Sequence, residues 1–373
     1  MQTTALSGRA QQYSYAVERW FPTPRSLRPP SLGVDISDSS IKWLALAPMQ
    51  EGKLRVKTFG SGPLNSGIVS GGIIRDVHIL SEALASMKER FGGVDRAHAA
   101  LPEEAAYVFG MTVPEGVGRD EIMRLIEFEF EGRVPIPPAA AVYDFDVVTE
   151  RGKDGMEIGV TVFPREIVDS YAAAFAAADI ELVSLEIEAR SIARALWGGE
   201  SDPITLLVDF GLARTGFALL KNGIPIFTST VDVGGDAITQ AVLNKLRLPP
   251  EQANLFKNEQ GLSAQGPQYK ETVEAMVATA TALSEEIAKH FHYWDTRRDA
   301  HGERVTPVGR VLLVGGSSNL EGLPAFISGK IQAPVERGNV WNNICTFENY
   351  IPPIDFRSSL QYATAIGLGL RGI

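Results

Sequence analysis

Blocks of apolar residues separated by short polar turns run along the chain from Ser31 and predict alternating strands and helices. The run LGVDI predicts a buried strand, the polar residues SDSS a turn, and IKWLALAP a second strand. Further on, SEALASMKERFG has Leu84, Met87 and Phe91 at helical spacing. Because strand and helix patterns follow one another in this way, the sequence predicts an α/β fold class.

A helix followed by a pair of strands is predicted between residues 120 and 164. In DEIMRLIEFEFEG, the apolar residues Ile122, Leu125, Ile126 and Phe130 share one helical face. The proline cluster VPIPP ends this helix, because proline lacks the backbone N–H that a helix needs. The segments VYDFDVVTE and EIGVTVFP then predict two strands joined by the polar turn RGKDG.

One strand–turn–strand pattern occurs twice, about half a chain apart. LGVDISDSSIKWLAL and LLVDFGLARTGFALL each contain an apolar strand that ends in Asp, a tight turn, and a second apolar strand. Such a duplication is typical of two related lobes that face a shared cleft, here residues 32–198 and 199–373. The length of 373 residues also suggests two domains. A chance resemblance between two hairpins is the alternative.

Composition narrows the range of partners and compartments. The formal net charge is −10 and no run of five Lys or Arg occurs, which disfavours a nucleic-acid partner. Cys345 is the single cysteine and fits a reducing compartment. No apolar stretch reaches the ~18 residues of a spanning helix. We therefore expect a soluble cytoplasmic protein that reaches a membrane through a partner, without inserting into it directly.

Residues 1–31 differ from the rest of the chain. They are polar and then rich in Pro and Arg, without a sustained period, which predicts a flexible leader. A docking peptide is the alternative, because Tyr13, Tyr15, Trp20 and Phe21 could anchor on a neighbouring protein.

The turns of the two similar hairpins predict a phosphate site. A turn of small residues leaves backbone N–H groups free to point at one anion. The two aspartates that end the strands, Asp35 and Asp209, are suited to holding Mg²⁺ directly or through water. Alone, an Asp in a β-turn is common for local reasons. The residues assigned to the two turns are Asp35, Ser37, Ser39, Ser40, Lys42, Asp209, Gly211, Ala213 and Thr215.

Two glycine turns extend this site. In VLLVGGSSNLEGLP a buried strand runs into Gly315, Gly316 and Ser317, where a ligand can approach the backbone closely. Alone, a Gly-Gly pair is more often only a turn. The other turn is Gly234-Gly235, with Asp236 expected to cap the helix that follows.

In order and spacing, these four pieces resemble the motifs of the actin-like ATPase superfamily, from residue 32 to near the end. The resemblance implies a duplicated, two-lobed actin-like (RNase H-like) fold that binds ATP with Mg²⁺. Within it, GPLNSGIVSGGIIRDVHILSEAL, IEFEFEGRVPIPPAAAVYDFDVV and ATAIGLGLR are similar to the PilM family of type IV pilus assembly proteins. That likeness implies a small α+β insertion subdomain at about 75–165, and binding of the cytoplasmic tail of a PilN-like inner-membrane protein.

The chain also departs from the family pattern. Ser37 stands where the first turn usually has Gly, and Asp38 adds a negative charge near the phosphates. The family's Ala-Glu-x-x-Lys, which contacts ribose and adenine, is similar to the segment that holds Asn254 and Lys257. Asn254 is a weaker acceptor than a carboxylate, so we expect a reduced nucleotide affinity but not its loss.

Three functional classes stay open. An assembly scaffold would hold a partner peptide near the helix at 120–131, with Ile126, Phe130 and Ile136 as contacts; the alternative for this region is that the aromatic residues form a core and the prolines only end a helix. A small-molecule kinase would need a general base, for which Asp236 is the candidate. A filament protein related to MreB or FtsA would self-associate, although the chain stops at Ile373, before any FtsA-like membrane helix. Hydrolysis is expected to be slow, because no Glu or Gln can be assigned to orient water and Asp38 adds charge.

Overall fold

A computed structural model describes residues 29–49, 53–152, 154–199, 202–298 and 302–373. The first sheet has five strands in the order β10-β6-β1-β2-β3, where β1 is antiparallel to β2 and parallel to β6. Almost all of the predicted leader, residues 1–28, lies outside the described residues. The bounds are β1 Leu32–Ile36, β2 Ser40–Pro48, β3 Leu54–Pro63, β4 Val69–Ser70, β5 Ile73–Ile74, α1 Val77–Lys88, β6 Arg96–Leu101, α3 Arg165–Ala177, β10 Glu181–Ile187 and α4 Glu188–Leu196.

The second lobe repeats this arrangement. Its strands lie in the order β15-β14-β11-β12-β13, and β11 is antiparallel to β12 but parallel to β14. The order and the directions match those of the first sheet, so the duplication predicted from the two hairpins extends to all five strands. The bounds are β11 Ile204–Phe210, β12 Thr215–Lys221, β13 Ile224–Val231, α5 Asp236–Leu246, α6 Pro250–Glu259, α7 Lys270–Thr296, β14 Val308–Val314, α8 Leu323–Ile331, β15 Val335–Arg337, α9 Phe356–Ser359 and α10 Ala363–Arg371.

The insertion is a three-stranded sheet covered by one helix. Its elements are β7 (Tyr107–Val113), α2 (Arg119–Arg133), β8 (Ala141–Gly152) and β9 (Gly155–Pro164). The predicted start at about 75 is too early, because α1 and β6 belong to the first lobe, where β6 lies between β1 and β10. The insertion therefore comprises residues 107–164.

The insertion is attached to the second lobe as well as to the first. Strand β7 pairs with β13 at Phe109 and Phe227, so the second sheet continues through β7 and β9 to β8 at its edge. The side chain of Lys221 forms an ion pair with Glu157, and Asn222 donates to the Val148 carbonyl at 2.9 Å. These contacts make the insertion a physical extension of the second lobe.

The helices α4 and α10 lie between the two lobes. Their apolar residues share one buried cluster with Leu44 and Leu46 of the first sheet and Leu207 and Ala218 of the second. Ser191 of α4 donates to the Thr364 carbonyl of α10 at 2.6 Å. The predicted boundary at 199 is therefore too simple, since the closing helix α10 packs on the first lobe. Among the described residues, no helix combines the length and the apolar character that crossing a membrane requires.

Candidate functional site: a cleft between the two hairpins

The two hairpin turns line one cleft of about 580 Å³, a size typical of small-molecule sites. Both turns meet here because their strands, β1 and β11, end at the same side of the molecule. The residues of the predicted site that line it are Asp35, Ser37, Ser39, Ser40, Lys42, Asp209, Gly211, Ala213, Asn254, Lys257, Gly315, Gly316 and Ser317. The structure brings these residues together, whereas Thr215, Gly234, Gly235 and Asp236 do not line the cleft.

The first turn is closed by its serines. The Ser37 backbone N–H donates to the Ser40 carbonyl at 2.9 Å, and the Ser40 N–H donates to Ser37 Oγ at 3.2 Å. Ser37 therefore supplies the local hydrogen bonds that keep a turn tight without glycine. On the adjacent strands, Lys42 Nζ lies 3.6 Å from Asp35 Oδ2. The first strand-end carboxylate thus has a cation beside it.

The second turn is closed by the backbone. The Gly211 N–H donates to the Arg214 carbonyl at 3.0 Å. Thr215 is fully buried, and its hydroxyl donates to the Val233 carbonyl at 2.5 Å. Its role is therefore to fasten the hairpin to the segment after β13, and the prediction that it contacts a ligand is not supported by its position.

The glycine turn at Gly234-Gly235 supports the second hairpin from behind. Gly235 N–H donates to the Gly211 carbonyl at 3.0 Å, and Asp236 N–H donates to the Leu212 carbonyl at 2.8 Å. A Cβ at Gly235 would lie 2.0 Å from Ser317 Oγ, so only glycine allows this approach. Asp236 is the first residue of α5 and not its cap, because Gly235 occupies the cap position. These residues hold the turn in place and do not reach into the cleft.

Asp209 is the most perturbed of the predicted site residues. Its pKa is raised to about 7, first by loss of hydration and then by the nearby Asp35 carboxylate, against the opposing effect of Lys42. The backbone of Gly315 packs directly on it, since a Cβ there would lie 2.3 Å from Asp209 Oδ1. Gly315 also has φ +85°, a conformation that favours glycine. The Gly315 turn therefore packs against the end of strand β11, where the second hairpin begins its turn.

Three glutamates that the sequence did not assign also line the cleft. Glu103 is buried and Glu188 is half-buried, and desolvation raises the pKa of both, with the neighbouring carboxylates adding to it. Glu104 lies beside Glu103 in the short turn before β7. From the sequence no glutamate could be assigned to orient water, whereas the structure brings these glutamates to the cleft because strands β6 and β10 both end there. The sequence did contain a signal, because a glutamate follows each of these two parallel strands: Glu103 comes after β6 and Glu188 after β10.

The charge of Asp38 is neutralised across the cleft. The Arg214 guanidinium, on the turn of the second lobe, forms ion pairs with both Asp38 and Glu104. Asp38 also accepts from the N–H groups of Gly71 and Gly72 at 3.2 and 3.1 Å. The predicted negative charge of Asp38 near the phosphates is therefore balanced by Arg214 of the other lobe. The cleft glutamates and the Asp38–Arg214 pair weaken both reasons given for slow hydrolysis, which stays a prediction.

The opposite wall is formed by α6 and by the turn after β14. Lys257 is buried and donates to Thr239 Oγ1 at 3.0 Å, and desolvation lowers its pKa. Asn254 lies exposed one turn earlier on the same helix. At Gly316 an added Cβ would meet only Gln361, at 3.5 Å, so the backbone is open on that side. This wall has the polar groups and the space that a nucleoside would use.

A magnesium ion would find two protein carboxylates, Asp35 and Asp209, and phosphate oxygens would supply further ligands. In the part of the chain that the structure describes, no group of three or more His, Cys, Asp or Glu side chains is arranged to hold a metal ion. This donor set fits an ion that arrives with a nucleotide and keeps water ligands, which is the usual behaviour of Mg²⁺.

The residues predicted to contact a partner lie in the insertion, and most are not accessible. Ile126 and Phe130 are buried between α2 and the sheet, and Ile136 is half-buried against the same cluster. The alternative that the aromatic residues here form a core is correct for Phe130 and wrong for Phe128. Phe128, on the outer face of α2, is 83% exposed.

Comparison with known proteins agrees with this architecture. The family model described as "Type IV pilus assembly protein PilM" matches residues 33–373. A solved "PilM-PilN type IV pilus biogenesis complex" is similar to the chain with a TM-score of 0.73 at 21% identity, covering 92% of this chain and 99% of that one. Ethanolamine utilization protein EutJ from Carboxydothermus hydrogenoformans has a TM-score of 0.52 at 17% identity, covering 94% and 91%.

MreB 5 of Spiroplasma citri bound to AMPPNP has a TM-score of 0.51 at 11% identity, covering 92% of this chain and 95% of that one. At these identities the structural likeness shows the fold alone, which confirms the predicted two-lobed actin-like fold. The assignment to a family rests on the match of the family model over residues 33–373. The chain belongs to the PilM family of type IV pilus assembly proteins.

Proposed function

We propose that this chain is a cytoplasmic scaffold of type IV pilus assembly, whose cleft binds Mg-ATP and whose insertion holds the tail of a PilN-like inner-membrane protein. The observation that carries the nucleotide part is the meeting of both Asp-ended hairpins and the Gly315 turn at one cleft. The partner part rests on family membership, and on the printed description of the similar structure as a complex with PilN.

The cleft suits a nucleotide in size and in the order of its groups. Small-residue turns around Ser39 and Ala213 would take the phosphates through backbone N–H groups. Asp35 and Asp209 would hold Mg²⁺, which supplies the positive charge that a triphosphate needs beside so many carboxylates. Lys257 and Asn254 on α6 would face the nucleoside end.

The contacts between the insertion and the second lobe give a route from nucleotide to partner. The second lobe carries half of the phosphate site, and β13 of that lobe pairs with β7 of the insertion. Ion pairs join Lys221 to Glu157 and Arg190 to Asp146. A ligand that favours one arrangement of the lobes would therefore also favour one arrangement of the insertion.

Because Ile126 and Phe130 are buried, the proposed partner site is the free edge of β8 together with the outer face of α2. Strand β8 ends the eight-stranded sheet, and an extended peptide can add to such an edge by backbone hydrogen bonds. The exposed Phe128 lies on α2, which is tied to β8 by the hydrogen bond from Tyr143 to Glu127. An apolar side chain of the tail would pack there.

The kinase alternative loses its proposed base. Asp236 stands at the start of α5, where its side chain accepts from Gln240 at 3.4 Å, and it does not line the cleft. The filament alternative keeps the fold, and analytical ultracentrifugation with and without Mg-ATP would test self-association.

The test is a titration of a synthetic PilN-like cytoplasmic tail peptide, with and without Mg-ATP, followed by crosslinking and mass spectrometry. We expect crosslinks on residues 119–152 and an affinity that changes when nucleotide is present. Phe128→Ser should weaken binding, whereas the matched control Leu255→Ser, at an exposed leucine of α6, should not. Crosslinks confined to the cleft, or no binding, would contradict the partner assignment.

A further inference from the structure

An apolar surface is exposed in the segment between β15 and α9. Phe347 is 51% exposed and Ile351 is 81% exposed. The Tyr350 N–H donates to the Thr346 carbonyl at 3.1 Å, so a single helical turn separates these two hydrophobic side chains. Single exposed hydrophobic residues are normal on a protein surface, whereas a group of them indicates an interaction site.

Tyr350 attaches this surface to the first sheet. Its hydroxyl accepts from the Val56 N–H of β3 at 3.2 Å, and β3 is the edge strand of that sheet. Val56 and Cys345 are half-buried and pack on the apolar cluster between the lobes. Apolar surface therefore extends from this cluster to Ile351. We call Val56, Cys345, Phe347, Tyr350 and Ile351 the edge patch.

The N-terminal segment of the chain joins the first lobe close to the edge patch. Leu32 of β1 pairs with Ala45 of β2, so the preceding residue, Ser31, lies opposite Leu46. Leu46 in turn pairs with Val56 of β3. Because neighbouring strands are about 4.8 Å apart, Ser31 lies about 10 Å from Val56. Residues 1–28 are therefore tethered beside the patch.

The sequence of this segment suits such a surface. Trp20 and Phe21 are large apolar anchors, and Phe21 precedes Pro29 by eight residues. An extended chain of that length spans about 27 Å, so both aromatic side chains can reach the patch. Residues 1–28 contain four arginines and one glutamate, whereas the net charge of the whole chain is −10. Electrostatic attraction to the rest of the chain therefore favours docking.

We propose that residues 1–28 dock on the edge patch of their own chain, with Trp20 and Phe21 packed against Phe347 and Ile351. The covalent tether supplies an effective concentration in the millimolar range, so a contact too weak to form between separate molecules can form here. The docked segment shields the apolar surface from self-association. It also joins β3 of the first lobe to the segment that follows β15 of the second.

Cys345 is the single cysteine of the chain and belongs to the edge patch, so its labelling by a maleimide measures whether the patch is covered. In the full chain we expect slow labelling. The double variant Trp20→Ser with Phe21→Ser should label at least about tenfold faster, which corresponds to a docking free energy of about 1.4 kcal/mol or more. The matched control, Tyr13→Ser with Tyr15→Ser, changes the same segment and should label like the wild type.

Two further variants test the patch and the identity of its occupant. Ile351→Asp, at a site that is 81% exposed, should speed labelling without loss of the fold. Phe21→Cys should form an intramolecular disulfide with Cys345 under mild oxidation, at a rate independent of protein concentration. Equal labelling of the wild type and of the Trp20→Ser, Phe21→Ser variant would overturn the proposal. Protection that disappears on dilution, or disulfide-linked dimers, would overturn it in favour of a second copy on the patch.

Discussion

The two phosphate hairpins have the same design but different electrostatic surroundings. Each has an apolar strand that ends in an aspartate, a short turn, and a second strand. Asp35 has Lys42 at 3.6 Å, whereas no ion pair joins Asp209 to a cation within the described ranges. The pKa of Asp209 is raised to about 7. A duplicated backbone therefore does not duplicate the electrostatic surroundings of its key residue.

The supports behind the two turns also differ. The first turn is held by Asp38, which accepts from two N–H groups in the loop between β4 and β5. The second is held by backbone bonds to Gly235 and Asp236 and by the Ser317 hydroxyl, which donates to the Gly211 carbonyl at 2.9 Å. Since Arg214 of the second turn pairs with Asp38 of the first, the two halves are also joined across the cleft.

The largest expected effect that follows from this difference is a pH dependence of stability at Asp209. Its folded pKa of about 7 exceeds the ordinary value of 3.8, and Asp35, Glu104 and Lys42 are the charged groups that act on it. Folding favours the protonated Asp209 carboxyl. The contribution of this group to the free energy of unfolding is therefore fully present below about pH 4 and is lost as the pH rises to about 7. Each pKa unit corresponds to about 1.4 kcal/mol.

Chemical unfolding of the apo chain between pH 4 and pH 8 measures this effect. Asp209→Asn should remove the contribution, so its stability relative to the wild type should improve as the pH rises through that window. Asp120→Asn, at an exposed site on α2, is the matched control and should follow the wild type. Parallel curves for all three proteins would contradict the assigned pKa.

The second effect concerns nucleotide binding. Asp209→Ala should lower the Mg-ATP affinity about 10- to 100-fold or more, because an interaction with a charged group contributes about 1.5–3 kcal/mol. If the two hairpins share the ion, Asp35→Ala should have a comparable effect, which calorimetry can measure. An unchanged affinity in one variant only would show that the ion is held by a single lobe.

The third effect tests the supports of the turns. Gly235→Ala should destabilise the fold by about 1–3 kcal/mol, as overpacking does, because the new methyl group would lie 2.0 Å from Ser317 Oγ. Gly72→Ala should do so at the first turn, where a Cβ would lie 2.0 Å from Pro102 Cβ at φ +68°. Gly329→Ala, in α8 with open space around it, is the control in thermal unfolding and should be neutral or stabilising.

The smallest expected effect is that of the ion pair across the cleft. Arg214→Gln should destabilise the apo chain by about 1 kcal/mol, the scale of a partly exposed ion pair, and should make thermal unfolding less sensitive to salt. Equal salt sensitivity in the wild type and in Arg214→Gln would show that this pair does not hold the lobes together.

The duplicated strand pattern and the cleft motifs can be found in the amino-acid sequence without the structure. Apolar periodicity depends on local burial, and a tight turn after an Asp-ended strand depends on neighbouring residues, so Asp35, Asp209 and Gly315 could be found from the chain alone.

Which charges meet and which surfaces stay free depends on how the two sheets and the insertion assemble. Glu103, Glu188 and Arg214 are far apart along the chain and become neighbours of the phosphate turns only when the sheets assemble. The spacing places Phe130 on the apolar face of α2, but only the packed insertion shows that this face is closed and that Phe128 stays exposed. The electrostatic field at a site and the packing of a surface both depend on residues that are distant in sequence. A local sequence pattern therefore does not predict them.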